Sequence, residues 1–310
     1  MNWQKIKTYA RILGSIIGIG IFTYLVIKTV KDITAISAPI VFNGSFLVSA
    51  LLVTLMIYLM QMVNYEWMIT TQRSDSKLKD IMVGYAFSLL HKYIPGYIWG
   101  YFSRADWYER KASISATHSW MASILEVLTT ITTSLSIWIT FNLVGKGLNL
   151  TIALMVMLVP IILLYPLNLL ISFSQKIKRA DPYLKNIRLI PLSKWALIIV
   201  NSYCQWILFG FGLWMICQVY SLKIGLSITD LTGFVYSFAR AWVSGFLTIF
   251  VPNGIGVREV VLTKLLIELN YIGPTMAILL STSYRLLMMV AEFVWGLLAV
   301  FLNSRISLHK

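Results

Sequence analysis

Residues 246–261 read FLTIFVPNGIGVREVV. An apolar run stops at Pro252, turns over Asn253 and Gly254, and restarts through Gly256 into adjacent Arg258 and Glu259. Proline removes an N–H and cannot continue a regular helix, and glycine opens turn geometries closed to other residues. A half-helix that begins after such a break presents unbonded N–H groups and the positive end of its dipole. With a guanidinium four residues past Gly254, the chemistry on offer is the holding of an anion such as a phosphate. Glu259 orients Arg258, meets a cationic part of the same ligand, or only balances charge; the residues leave these open. A second interrupted segment, residues 81–103, reads IMVGYAFSLLHKYIPGYIWGYFS. There Lys92 precedes Pro95, Gly96 and Gly100, so a cation again stands beside a break.

Isolated charges inside apolar runs are the other chemistry-bearing feature. Glu126 lies in WMASILEVLTTI, Arg240 in YSFARAWVSG, and Arg285 and Glu292 in STSYRLLMMVAEFVW. Such charges are expensive in hydrocarbon and are usually functional. Arg285 and Glu292 are two helical turns apart and share a face. Either these residues form structural ion pairs, for which Glu126 with Arg285 is the expected pairing, or they line a polar cavity. In that cavity the arginines would hold a phosphate and the carboxylates a cationic group. Cys204 and Cys217 sit in one apolar segment and read as small buried hydrophobes. His91, His118 and His309 have no metal-ligand spacing, and no GxxxxGK[ST] phosphate loop is present, so neither metal nor cofactor is expected.

The elements that must position these residues follow from composition. The chain of 310 residues is 58% hydrophobic and only 12% charged, with a mean hydropathy of +0.77. Several runs exceed the ~18 apolar residues that mark a bilayer span. An all-α integral membrane protein is therefore predicted, as a single transmembrane domain over residues 1–310. The net charge of +14 sits in short loops between apolar runs. That distribution points to positive-inside topology and anionic lipid headgroups, and away from nucleic acid. Full spans are expected near residues 12–30, 46–69, 118–143, 150–173, 195–220 and 275–302. The first reads as an uncleaved signal anchor, because Pro39 follows Ala38, the only small residue placed to end a signal peptide. Tyr93, Tyr97, Trp99, Tyr101 and Trp107 read as an interfacial belt.

Loop charge decides the threading. If residues 81–103 crossed fully, the basic loop 173–194 would fall outside, against the positive-inside rule. If they enter and leave on one side, loops 70–80, 104–116 and 173–194 and both termini are all cytoplasmic. By the same logic residues 231–270 enter and return from the outside. The prediction is about six full spans and two re-entrant broken-helix hairpins. The first hairpin unit covers about 81–143 and the second about 231–302. They run in opposite orientation, as in transporters built from inverted repeats.

The string LLHKYIPGYIWGYFSRADWYERK, a span bearing Glu126, and FVPNGIGVREVVL near the end resemble the lysylphosphatidylglycerol synthase transmembrane-region family, over about residues 10–302. The most specific pieces are Pro95-Gly96, Glu126, and Pro252 through Gly254, Gly256 and Glu259. The family often carries Glu-Arg and then Asp in the third span; here Val127 follows Glu126, and Thr129 and Thr130 stand near the Asp place. The resemblance implies a flippase-like protein of the cytoplasmic membrane, handling a membrane lipid or lipid-linked sugar, with envelope-biosynthesis enzymes as further partners. Lysyltransferase activity is not expected, since Lys310 closely follows the last span. Two other readings compete. A membrane-embedded transferase would use carboxylates near the headgroup plane, for which Asp106 and Glu109 are the candidates. A non-transporting subunit of an envelope-synthesis complex would need no cavity-lining charges.

Overall fold

The computed structural model describes residues 27, 31, 42–70, 77–93, 99–145, 147, 149–176, 190–222, 224–248, 254, 256–269 and 272–307. Among them the regular elements are all helical. In chain order these are α1 (Gly44–Thr70), α2 (Leu78–Leu89) with a 3₁₀ turn (Leu90–Tyr93), α3 (Trp99–Lys111), α4 (Ala116–Gly145), α5 (Leu150–Lys176), α6 (Leu192–Val219), α7 (Ile228–Leu247), α8 (Val257–Glu268) and α9 (Pro274–Ser307).

Among the described residues, four helices are long and apolar enough to cross a membrane: Gly44–Ile69, Ala116–Gly145, Leu192–Val219 and Pro274–Asn303. Their most apolar windows have mean hydropathies of 2.2, 1.5, 1.6 and 2.0. At 1.5 Å per residue each exceeds the ~30 Å hydrocarbon core. They coincide with four of the expected spans, 46–69, 118–143, 195–220 and 275–302. The expected span 150–173 falls on α5, a helix of 27 residues that is apolar over Thr151–Tyr165 and beyond. Of the expected first span only Ile27 is described, and it is helical. The sidedness of burial fits a lipid solvent. On α1, Val48, Leu52 and Met56 are exposed at four-residue spacing, while Ala50, Ile57, Met62, Tyr65 and Ile69 are buried. A stripe of exposed aliphatic side chains of this kind is stable against acyl chains and costly in water.

The interrupted segments fold as helix pairs. In the first pair, the Tyr108 hydroxyl donates to the Ile81 carbonyl (2.6 Å), and Arg104 Nε donates to Ser88 Oγ (3.1 Å). Gly100 packs on the Ser88 carbonyl and Lys92. As numbers rise on α2 they fall on α3, so the pair is antiparallel. Gly84 permits the close approach: a Cβ there would lie 2.4 Å from a ring carbon of Tyr108. Helices of 12 and 13 residues reach about 18–20 Å, short of a crossing. In the second pair, α7 is started by Ser227, whose hydroxyl accepts from Asp230 N–H while the Asp230 carboxylate accepts from Ser227 N–H. Its last turn meets α8 at Gly245, against Gly254 and Arg258.

The packing of these elements is reciprocal. α2 packs on α9 and α7 on α4, while α3 packs on α4 and α8 on α9. α1 and α6 form the largest helix contact and run antiparallel. At one end Asn43 N–H donates to the Val219 carbonyl (2.8 Å). At the other, Asn64 Nδ2 donates to Ser202 Oγ (3.0 Å) and Asn201 Nδ2 to Asn64 Oδ1 (2.7 Å). One apolar cluster gathers around Met62, Tyr65, Ile81, Tyr108 and Trp195. Another gathers around Ile57, Trp206, Phe209, Phe238 and Tyr284.

Candidate functional site

The two helix pairs and the long helices enclose a cavity of about 140 Å³. Five charged residues line it: Lys92 from the 3₁₀ turn, Arg104 from α3, Glu126 from α4, Arg258 from α8 and Glu292 from α9. Gly100, Gln205, Thr129, Trp206 and Trp242 are among the other lining residues.

Each carboxylate is held by named donors. Arg104 Nη1 lies 2.6 Å from Glu126 Oε2, and the Tyr85 hydroxyl donates to Glu126 Oε1 at 2.5 Å. The guanidinium also sits over the rings of Tyr85 and Tyr65, 3.9 and 4.5 Å from their centroids. That cation–π geometry compensates part of the lost hydration of an arginine only 5% exposed. Glu292 is 1% exposed. It accepts from the hydroxyls of Tyr58 and Tyr93 and lies 2.5 Å from Lys92 Nζ. A buried charge of this kind is tolerated only with such pairing.

A smaller pocket adjoins the cavity, sharing Trp242, Arg258 and Met288 with it and adding Glu259 and Arg285. The Glu259 carboxylate accepts from the Gly256 N–H at the start of α8 and stands 3.5 Å from Arg285 Nε. It thus caps its own helix and faces the arginine of α9. Gly254 and Gly256 have φ of +64° and +89°, the left-handed region that glycine enters at no steric cost. The Arg258 guanidinium lies over Trp242, 5.2 Å from the ring centroid.

The structure therefore brings Lys92, Gly100, Glu126, Arg258 and Glu292 to one cavity, with Glu259 and Arg285 beside it. Arg240 is elsewhere: it donates to the Tyr236 hydroxyl (2.8 Å) and lies over Trp138. Pro95, Gly96, Pro252 and Asn253, the breaks themselves, lie outside the described residues. The expected pairing of Glu126 with Arg285 is not formed. Because α3 docks on α4 and α8 on α9, Glu126 is matched by Arg104 and Arg285 by Glu259, each from the short pair that precedes its long helix, whereas Glu292 is matched by Lys92 of the first pair.

Three further expectations are corrected. Arg104, placed in a cytoplasmic loop, is inside α3; the four-residue spacing of Gly100, Arg104 and Tyr108 was the available signal for a packed helix face. Tyr93 and Trp107, taken for an interfacial belt, are buried, one on Glu292 and the other against Gly84. Cys204 is exposed on the outer face of α6, whereas Cys217 is buried. Asp106 pairs with Arg110 on an exposed face, and neither it nor Glu109 lines the cavity.

Two polar atoms in the cavity wall, Thr129 Oγ1 and Gln205 Nε2, are buried with no hydrogen-bond partner among the described residues. Buried polar groups are normally satisfied, and these two are exceptions. Fold and site together define a multi-pass helical membrane protein with a charged internal cavity. Comparison with protein-family models, with characterised proteins and with solved structures gives no match; the family resemblance stands on the quoted residues alone.

Proposed function

We propose that the chain is a flippase-like protein of the cytoplasmic membrane that carries a lipid or glycolipid headgroup between leaflets. The observation that carries this reading is the cavity. It gathers three cations and two paired carboxylates where two short helix pairs meet among the long helices, and on this reading that space takes a headgroup. Charges so placed mark a substrate path by default, and irregular backbone at that depth belongs against a polar cavity.

The proposed threading makes α2–α3 and α7–α8 re-entrant hairpins in an inverted repeat. The antiparallel contact of α1 with α6 supports it by parity. With α4, α5 and α6 crossing in alternation, α6 opposes α1 only if residues 78–111 return to the side from which they came. The reciprocal packing of α2 on α9 and α7 on α4 supports the two-fold relation. The turn at 112–115 between α3 and α4 and both termini are then cytoplasmic. A cysteine replacing Lys111, in a background lacking Cys204 and Cys217, is expected to resist membrane-impermeant maleimide in intact cells. Strong labelling there would refute the hairpin.

Transport is tested in proteoliposomes that carry trace tail-labelled fluorescent phosphatidylglycerol and are bleached by an impermeant reductant. The parent protein should extend bleaching beyond the outer leaflet's share. Arg258→Ala, verified as folded, should restore the protein-free level. If a folded Arg258→Ala variant moves lipid like the parent, the cavity is not the path.

A further inference from the structure

We infer that Arg240 and Tyr236 form a lipid site of their own, on the membrane face between α4 and α7, that holds the phosphate of an anionic phospholipid. The site is separate from the cavity: neither residue lines the cavity or its adjoining pocket. Trp242, two residues beyond Arg240, does line it, so the two side chains leave α7 on opposite sides. The inference goes beyond the translocation reading. It needs α4 to cross a bilayer and nothing of what the cavity does.

The first observation is the company Arg240 keeps. It is partly exposed, donates to the Tyr236 hydroxyl (2.8 Å) and lies 5.4 Å from the Trp138 ring centroid. It enters no ion pair with any described residue. The carboxylates of the helices packed on α7 are engaged elsewhere. Glu126 faces Arg104, Glu259 faces Arg285 and Glu268 faces Lys264, while Asp230 caps α7 itself. An arginine at a lipid-facing surface without a carboxylate is costly, and a lipid phosphate is the anion within reach. The Tyr236 hydroxyl accepts from Arg240, and its own proton has no acceptor among the described residues. Guanidinium and phenol thus offer N–H and O–H donors side by side, and phosphate oxygens are acceptors that arginine grips in pairs. No described carboxylate stands ready for a choline or ammonium group, so an anionic headgroup fits better than a zwitterionic one.

The second observation is depth and direction. α4 has 30 residues, about 45 Å, so when centred it extends about 7 Å past a ~30 Å hydrocarbon core at each end. Trp138 is 36% exposed and stands two turns before the end of α4 at Gly145, about 10 Å along the axis. It therefore sits just inside the core boundary, the level at which tryptophan anchors helices. Phe141 stacks on Tyr236 with ring centroids 4.1 Å apart, while Trp138 meets Arg240. Numbers rising on α4 fall on α7, so the end of α4 and the start of α7 share one side. The guanidinium reaches back one turn to Tyr236, hence toward that side and its headgroups, as a snorkelling arginine does.

The test is photo-cross-linking of the purified full chain in detergent micelles. Phosphatidylglycerol, phosphatidylcholine and diacylglycerol, each with a diazirine near the glycerol on the same acyl chain, are offered in turn. Cross-linked residues are mapped by mass spectrometry. Yields around Trp138 and Tyr236 are divided by those on the uncharged α1 stripe of Val48, Leu52 and Met56, which is exposed to lipid of any kind. On that ratio phosphatidylglycerol should exceed diacylglycerol about tenfold or more, equivalent to about 1.4 kcal/mol, and phosphatidylcholine several-fold. Arg240→Gln should bring the three lipids close to parity. Tyr236→Phe keeps the ring against Phe141, so it should fold normally and still lose several-fold in the phosphatidylglycerol ratio. A large excess of inorganic phosphate should leave the parent's ratio unchanged. Equal ratios for phosphatidylglycerol and either other lipid overturn the inference. So does an unchanged preference in a folded Arg240→Gln or Tyr236→Phe variant, or loss of the preference to inorganic phosphate. The preference without transport in proteoliposomes leaves this inference standing and defeats the translocation reading instead.

Discussion

Arg104→Ala is expected to destabilise the protein by about 3–5 kcal/mol, because it strands the Glu126 carboxylate in a largely buried site with only the Tyr85 hydroxyl as a named donor. Glu126→Ala should cost a comparable amount by stranding an arginine whose side chain is 6% exposed. The double variant should cost clearly less than the sum, with a coupling of about 1–3 kcal/mol. The informative control pairs Glu126→Ala with Arg285→Ala. Arg285 contacts Glu259, not Glu126, so those two changes should add to within about 0.5 kcal/mol. Unfolding monitored in mixed micelles at fixed lipid content gives all five values. Coupling of Glu126 to Arg285 in place of Arg104 would contradict the docking of α3 on α4.

The second large effect is expected at the turn between α7 and α8. A Cβ on Gly254 would lie 2.7 Å from both the Cα and the carbonyl oxygen of Gly245, and the residue has a φ of +64°. Backbone cannot swing aside as a flexible side chain does. Gly254→Ala therefore combines left-handed strain of about 1–2 kcal/mol with overpacking of about 1–3 kcal/mol, a loss of about 2–5 kcal/mol. Gly245→Ala meets a different obstacle, the Arg258 side chain at 2.2 Å. It should displace the guanidinium from Trp242 and impair lipid retention as well as stability. Gly256→Ala has open space around its Cβ and should show only the cost of its φ of +89°. If all three variants unfold alike, the close contact at Gly245 is not what holds this turn.

Much of this was legible in the residues because hydrocarbon is an unforgiving solvent. Apolar length alone located α1, α4, α6 and α9, and the rarity of charge within apolar runs singled out Glu126, Arg285 and Glu292. Partner choice was not legible. Glu126 and Arg285 are the conspicuous opposite charges inside long spans, but which charges meet depends on which helix docks where. Arg104 was hidden by its neighbours: Asp106, Glu109, Arg110 and Lys111 give the segment the composition of a loop, while one face of α3 is buried against α2 and α4. The tyrosines were hidden for another reason. Tyr58, Tyr85 and Tyr93 are amphipathic, and nothing local distinguishes a hydroxyl at the lipid interface from one bonded to a buried carboxylate.

The Glu292 cluster fixes when, during synthesis, the protein can become whole. Its donors Tyr58 and Tyr93 stand 234 and 199 residues ahead of it in the chain. At 5–20 residues per second the ribosome delivers Glu292 roughly 10–40 s after Tyr93. Throughout that interval the first helix pair carries Lys92 without the carboxylate that will neutralise it. The Lys92–Glu292 pair can close only once α9 has been made, so a chain truncated before α9 would leave Lys92 without this carboxylate.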